Sequence, residues 1–462
     1  MKLRILHTND LHSSYDKFKR IVTCINKQRT DTCLVLDGGD MIDRKSVMIS
    51  GTEGLAGTRL LAYAHYDAIA IGNNEGFSPS LLKMVKESEV PFVCTNLYTI
   101  NGEELPICKS IIKEYDDLRV LIVGNTVDGS ESYNEFFAFT NIKAHNYIDC
   151  VREELIRNQG NYDLSIVLSH AGIERDKEMA EAIDDIDVII GGHSHTVMEE
   201  VEVVNHTIIH QAGCFGEYVG MVDLEIENKR IISYEGKLLN SKEYDEDEAA
   251  LELIEMYKKE AIDNLSKTLF EINEDLWHDV VNENPITNLL ADALYDLHKD
   301  EVDFGIINSG ILNYGLKKGK VNELQLIGCS PSPLNPARYH VSGSNIKQAL
   351  KQSLDFEYCL VHRFASGFRG YYTGNLQVSH NVEVIYDGSD IQAVYINGEE
   401  IEDYKQYYII SSDYIQRGSG YPTLYGTDYL YDNYEIRDLL RLYLPKESFV
   451  SRALQKRFKE GI

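Results

Sequence analysis

The sequence predicts an α/β chain organised as two domains. Three observations carry that expectation. Short β-type apolar runs alternate with stretches of helical periodicity through the first half of the chain. Polar clusters rich in Asp, Asn, His and Gly follow five of those runs. After about residue 276 the grammar changes to a proline-started helix followed by strands and a tight turn.

The early runs are Leu3–Leu6, Cys33–Leu36, Ala68–Ile71, Phe92–Cys94, Val120–Val123, Leu164–Leu168 and Val188–Ile190. Each is short enough for a strand and is followed by polar residues. Functional groups in such sheets gather beyond the carboxyl ends of the strands, so clusters distant in sequence become neighbours. Residues 1–236 form the first predicted domain. Residues 237–275 read as a linker with a helix, or equally as carrying the last helix of the first domain, because Leu251, Leu253, Ile254, Tyr257, Ala261 and Leu265 recur near helical spacing between charges. Residues 276–462 form the second domain. Its opening helix starts at Asn284-Pro285 and runs to Leu297; β-type runs follow at Phe304–Ile307, Val382–Ile385, Gln392–Ile396 and Tyr407–Ile410, with Asn397-Gly398 as a hairpin turn.

The chain has 462 residues, 43% apolar and 26% charged, the balance of an ordinary globular protein. Its 45 basic and 74 acidic side chains give a net charge of −29. That excess argues against a nucleic-acid polymer or an anionic membrane as partner, since both demand basic surface. It leaves room for cation sites. No stretch of 18 apolar residues exists, and the N-terminus reaches His7-Thr8-Asn9-Asp10 with no signal-peptide core, so a cytoplasmic location is expected. The eight cysteines include no C-x-x-C pair and are too sparse for a disulfide scaffold.

Five clusters carry chemistry: Asp10-Leu11-His12, Asp37-Gly38-Gly39-Asp40, Gly72-Asn73-Asn74-Glu75, Ser169-His170-Ala171-Gly172 and Gly191-Gly192-His193-Ser194-His195. In the D-x-H and H-x-H pairs, residues two apart are expected to project to one side of an extended segment. The pooled ligand candidates are Asp10, His12, Asp40, Asn73, His170, His193 and His195. Imidazoles, carboxylates and an amide oxygen suit divalent Mn, Zn, Fe or Co better than Ca. Seven donors are too many for one catalytic ion with an open position and suit two.

In this order the motifs resemble those of the calcineurin-like metallophosphoesterases. The His-Thr-Asn-Asp-Leu-His and Gly-Gly-His-Ser-His versions are similar to the 5′-nucleotidase/UDP-sugar hydrolase family. The likeness continues through Gln211-Ala212-Gly213 and Gly220, then Asn284–Ala293 and Asn308-Ser309-Gly310, and so covers nearly the whole chain. It implies a catalytic domain of two sandwiched sheets flanked by helices, followed by an α+β substrate-recognition domain. It also implies that Asp40 bridges two ions, with Asp10, His12 and His195 completing one site and Asn73, His170 and His193 the other. The expected substrate is a nucleotide or a related small phosphorylated metabolite.

Two positions depart from the family's Gly-Asn-His-Glu and Phe-Asp pattern. Asn74 stands in place of the histidine, and Phe77 in place of the aspartate. Asparagine can donate a hydrogen bond but cannot act as a general acid near neutral pH, so Asn74 is the catalytic candidate with a diminished role. His7 could substitute for the missing histidine or merely cap a strand. In the second domain Asn308, Gly310, Arg338 and Tyr414 are the substrate-binding candidates, with Tyr414 as one wall of an aromatic sandwich; Arg363, Arg369 and Arg417 are further guanidinium sources. The leading reading is a two-metal phosphohydrolase. The alternative is a metal-dependent phosphate-binding protein that turns over little or not at all because of Asn74 and Phe77.

Overall fold

The computed structural model describes residues 1–128, 139–363, 365, 368 and 370–461. It divides into two compact units, Met1–Asn264 and Leu265–Ile462.

The first unit is built on two six-stranded sheets. One runs in the order Arg230–Asn240, Tyr218–Glu227, Lys2–Thr8, Cys33–Asp37, Ala68–Ala70, Phe92–Val93. The other runs Glu202–Val204, Thr207–His210, Val188–Gly191, Leu164–His170, Leu118–Thr126, Ser110–Tyr115. Most neighbouring strands are parallel, antiparallel hairpins close one edge of the first sheet and both edges of the second, and Phe92–Val93 ends the first sheet in parallel pairing. Side-chain alternation explains the layering. Leu3, Ile5, Leu34, Leu36, Ala68 and Ala70 point inward against Val120, Ile122, Ile166, Leu168, Val188 and Ile190 of the facing sheet. Leu6, Val35 and Ile69 turn the other way, with the helices Tyr15–Gln28 and Leu55–Tyr63. Val167, Ile189 and Ile209 do the same beneath Tyr147–Arg157 and Ile173–Ala182. Strands buried on both faces read as unbroken apolar runs, which is why they stand out in the sequence.

His7 lies within its strand, fully buried, and does not cap the strand's end. Its Nε2 meets His210 Nδ1 at 2.8 Å, so the pair joins the two sheets. Gly220 faces His7 across the antiparallel ladder, where any Cβ would collide with the imidazole. The helix Glu248–Leu265 follows the last strand of this unit.

The second unit contains a five-stranded sheet in the order Leu376–Val378, Phe304–Asn308, Gln406–Ser412, Pro336–Ser342, Leu430–Tyr431, and a four-stranded sheet of Glu399–Glu400, Asp390–Ile396, Val382–Asp387 and Phe458–Glu460. The helix Pro285–Leu297 is capped by the Asn284 side chain, which accepts from the Thr287 amide, and Pro285 occupies its first turn. It is buried from Pro285 through Leu294 against the strand Phe304–Asn308 and its neighbours. Asn397 and Gly398 both have positive φ, 53° and 86°, and close the hairpin in which Ile396 pairs with Glu399. No helix of the described residues is long and apolar enough to cross a membrane.

Candidate metal centre

All seven ligand candidates lie at or just beyond the carboxyl ends of parallel strands. Asp10, Asp40 and Asn73 follow strands of the first sheet; His170, His193 and His195 end or follow strands of the second, and His12 belongs to the Asp10 loop. The backbone there is not extended, contrary to the spacing argument. Asp10, His12, Asp40, His193 and His195 all have positive φ, between 45° and 73°. Each of these residues sits in a left-handed turn, and the turn, not a two-residue alternation, aims the side chain.

Asp10 is fully buried. Its Oδ2 accepts from Asn9 Nδ2 at 2.8 Å and from the His193 backbone amide at 2.9 Å. Its Oδ1 has no hydrogen-bond partner. His170 is likewise buried, and its Nδ1 donates to the Gly38 carbonyl at 2.7 Å, which leaves Nε2 bare and facing inward. These two unpartnered buried atoms lie 4.0 Å apart, and Asp40 Oδ1 is 3.5 Å from the same Nε2. Other buried polar atoms also lack partners, but here a carboxylate oxygen and an imidazole nitrogen converge with Asp40 on one point, which fits a bound cation. Asp10, Asp40 and His170 form one group of donor atoms that all lie within 4.8 Å of one another, and Asp10, His12 and His195 form a second. His12 Nε2 is 3.8 Å from Asp40 Oδ2 and 3.1 Å from His195 Nε2; His195 Nε2 is 3.3 Å from Asp10 Oδ1. Asp40 therefore stands between His12 and His170. Asn73 and His193 meet each other, Oδ1 to Nδ1, at 2.9 Å, and the His193 ring packs edge-on against that of His170, with centroids 5.2 Å apart.

The electrostatics follow from this crowding. Burial opposes the charge on His170, but Asp40 and then Asp10 overcome it and raise the imidazole to about 10. Burial likewise works against ionised Asp40, yet His170 and His12 outweigh it and hold the carboxyl well below the usual range. The Asp10 carboxylate, then the contact with Cys214, lift His195 to about 10. Burial and the charge of His170 push His193 down to about 4.

A second layer holds these groups in place, and the motifs did not disclose it. The buried Glu75 carboxylate accepts from three backbone amides: Asp40 and Gly72 through Oε2, at 2.9 Å each, and Ile42 through Oε1 at 3.0 Å. It thereby ties the Asp40 loop to the Asn73 loop. Asn9 bridges Asp10 to the Gly213 carbonyl and the Ala212 amide. Ser169 and Gln211 donate to buried Asp176, and Ser194 donates to Gln211, so the histidine loops share one network. At Gly192 a Cβ would press on the Gly38 carbonyl at 2.7 Å and on His170 Nδ1 at 2.9 Å, so only glycine fits. Burial was the missing signal: Glu75 stands in the Asn73 cluster and Asp176 outside all five, and nothing in the motifs says that either carboxyl is buried.

Asn74 turns toward Asp40. Its backbone amide donates to Asp40 Oδ1 at 2.8 Å and its side-chain Nδ2 to Oδ2 at 2.6 Å. Phe77 packs against the apolar core.

In the second unit Asn308 is buried and its Nδ2 donates to the Thr373 carbonyl at 2.6 Å; a Cβ on Gly310 would collide with the Tyr372 carbonyl. Arg338 is held by Glu301 and, at 3.2 Å, by Asp432. Tyr414 is fully buried, and its ring lies on Phe368 with centroids 4.4 Å apart and planes 16° apart. That spacing is direct ring-to-ring contact, with no gap for a third planar group. Arg363 sits over the Tyr358 ring and donates to Thr373 Oγ1. Arg417 pairs with Asp413 at 3.2 Å. Arg369 lies outside the described residues.

Residues 3–197 match the calcineurin-like phosphoesterases, and residues 263–425 match the C-terminal domain of 5′-nucleotidases. The metallophosphoesterase YunD of Bacillus subtilis (strain 168), itself uncharacterized, is 30% identical over 444 residues, spanning 92% of this chain and 94% of that protein. The Homo sapiens 5′-nucleotidase is 25% identical over 452 residues, covering 84% of this chain and 75% of its own. The Haemophilus influenzae NAD nucleotidase (NadN) shares the fold over 100% of both chains, with a TM-score of 0.68 and 18% identity. A 5′-nucleotidase precursor from Thermus thermophilus does so with a TM-score of 0.58 and 19% identity over 100% of this chain and 99% of its own. These relationships do not favour the reading without turnover. The chain belongs to the metal-dependent phosphoester hydrolases of the two-domain 5′-nucleotidase family, with a calcineurin-like phosphoesterase domain first and a 5′-nucleotidase C-terminal domain second.

Proposed function

We propose that this chain is a two-metal phosphohydrolase that releases phosphate from a nucleotide or a related small phosphorylated metabolite. One observation carries the reading. Asp10 Oδ1 and His170 Nε2 are buried, unpartnered and 4.0 Å apart, with Asp40, His12 and His195 around them. Asp10, His12, His195 and Asp40 would hold one ion, and Asp40, Asn73, His170 and His193 the other. The donor set suits Mn, Zn, Fe or Co. Divalent ions there supply charge neutralisation at the phosphoryl oxygens and Lewis-acid activation of the attacking water.

The chain's own groups do the rest. The Gly38 carbonyl fixes the His170 tautomer, so the Nε2 lone pair faces the centre. Asn74 braces both oxygens of Asp40 and offers no ionisable proton. A leaving group must then depart with little protonation from this stretch, which favours phosphoanhydrides over simple monoesters. Within the second unit, the region of Asn308, Gly310 and Arg363 supports a substrate-binding role.

The test is phosphate release by the full-length protein from p-nitrophenyl phosphate, bis-p-nitrophenyl phosphate and a panel of nucleoside mono- and diphosphates. Each is run with Mn²⁺, Zn²⁺, Co²⁺ or Fe²⁺ and with chelator. Metal-dependent release that Asp40→Asn abolishes is expected. Release that survives both chelation and Asp40→Asn overturns the reading.

A further inference from the structure

Phe215 has a placement that core packing does not explain. It follows the strand Thr207–His210 and has a left-handed backbone, φ 54°, a conformation that a bulky aromatic residue adopts only under constraint. The constraint is visible. Its amide donates to the Asp10 carbonyl at 2.8 Å, and Gly216 after it is also left-handed. The turn throws the ring outward, where 40% of the residue stays exposed. A strained backbone that leaves a large apolar ring in water gains little from burial. What the ring does touch is specific: its centroid lies 5.5 Å from that of His12 and 5.8 Å from that of His195. The contact with His195 is edge-to-face, with planes 71° apart.

We propose that Phe215 is a positioning residue that clamps the His12 and His195 imidazoles so that both Nε2 atoms face Asp10, and so sets the affinity of the outer cation subsite. This rests on reading the site as a cation centre. The clamp is needed on this side because the His195 side chain is 39% exposed, whereas His170 is enclosed and has its own tether to Gly38. Histidine ligands elsewhere are oriented by a hydrogen bond from the second ring nitrogen, worth about 10–100-fold in affinity. Here Cys214 contacts His195, and the aromatic wall against both rings adds to that part. Edge-to-face contact also suits a ligand imidazole, whose ring edge grows more positive when the ring nitrogen binds a cation.

The experiment is Mn²⁺ titration of the full-length chain by calorimetry after removal of bound metal, comparing the parent with Phe215→Ala, Phe215→Leu and Phe215→Tyr. The parent is expected to take up two ions. Phe215→Ala and Phe215→Leu should weaken one of the two binding steps by about 10-fold or more and leave the other within about twofold. Phe215→Tyr, which keeps the planar ring, should stay close to the parent. The leucine variant keeps apolar bulk, so it carries the comparison if the alanine variant folds poorly. Two binding steps unchanged in both truncations, or weakened equally, overturn the clamp and leave the cation centre standing. No uptake of Mn²⁺ by the parent overturns the cation centre itself, and the clamp with it.

Discussion

Glu75→Gln isolates the layer that holds the two ligand loops together. The carboxylate receives three backbone amides, two on Oε2 and one on Oε1. A glutamine can present its oxygen to the Asp40 and Gly72 amides, but its NH₂ then faces the Ile42 amide. One buried N–H loses its acceptor, at a cost of about 1–3 kcal/mol, and the two surviving bonds lose their charge assistance. The amide has one gain. Burial, and then the neighbouring Asp40, raise the Glu75 carboxyl above its ordinary range, so a neutral side chain avoids that strain. The balance is a net loss of roughly 2 kcal/mol. Because the freed amide belongs to the Asp40 loop, Mn²⁺ uptake should weaken as well. Urea unfolding measures the first effect and calorimetric titration the second. Glu75→Asp, one methylene too short to span both loops, should behave at least as badly. A glutamine variant with parental stability and parental uptake would show that the three amides have other partners and that the clamp argument is wrong.

Burial, opposed by Thr8 and the Gly39 amide, pushes the Asp37 carboxyl up to about 7 from an ordinary 3.8. A raised acid favours the folded state fully below its unfolded value, and that contribution is lost as pH climbs toward 7, so ionised Asp37 burdens the fold by up to about 4 kcal/mol at pH 8. Asp37→Asn keeps an acceptor for the Gly39 amide and reverses the Thr8 bond, its Nδ2 donating to Thr8 Oγ1, and its stability advantage in urea unfolding should grow from pH 5 to pH 8; a gap that does not change with pH contradicts the assignment. Asn74→His should flatten the dependence of rate on leaving-group pKa across a series of aryl phosphates, with a gain approaching 10²-fold for the poorest leaving groups, near the low end of about 10²–10⁴-fold for general-acid help; parallel lines for the two proteins would remove Asn74 from the argument. Tyr414 Oη is buried without a hydrogen-bond partner among the described residues, so Tyr414→Phe should raise stability by about 1 kcal/mol and leave KM for nucleotides unmoved, whereas a rise in KM would place the hydroxyl on the substrate.

The first unit was legible because its two signals are local. A fully buried parallel strand is an apolar run, and Leu3–Leu6, Cys33–Leu36, Leu164–Leu168 and Val188–Ile190 each fall inside an observed strand. The polar clusters then had one place to go, the carboxyl ends of those strands. The spacing argument for direction was wrong for an equally local reason. Two residues apart means one face only in extended backbone, and five of the seven candidates are left-handed. Aspartate and asparagine tolerate that region; histidine does so less readily, and no periodicity announces it. The antiparallel edge strands Glu202–Val204 and Arg230–Asn240 were not foreseen, because largely exposed strands lack an apolar run.

The second unit shows what a motif cannot convey. Tyr414 and Arg338 were chosen for chemistry that a side chain has in isolation, a planar ring and a guanidinium. Both have their capacity taken up by tertiary partners: Phe368 at 4.4 Å for the ring, Glu301 and Asp432 for the charge. Arg363 also has tertiary partners, the Tyr358 ring and Thr373 Oγ1, and the Thr373 carbonyl in turn receives Asn308 at the end of the strand Phe304–Asn308. The same distinction governs the candidate metal centre. His170 has a tautomer set by Gly38, a carbonyl 132 positions away, and Asp10 is oriented by an amide 183 positions away. Donor identity is written at single positions. Donor direction belongs to the partners that the fold delivers, so a seven-residue motif names the atoms at the centre, while Gly38, Glu75, Asn9 and Phe215 decide where those atoms point.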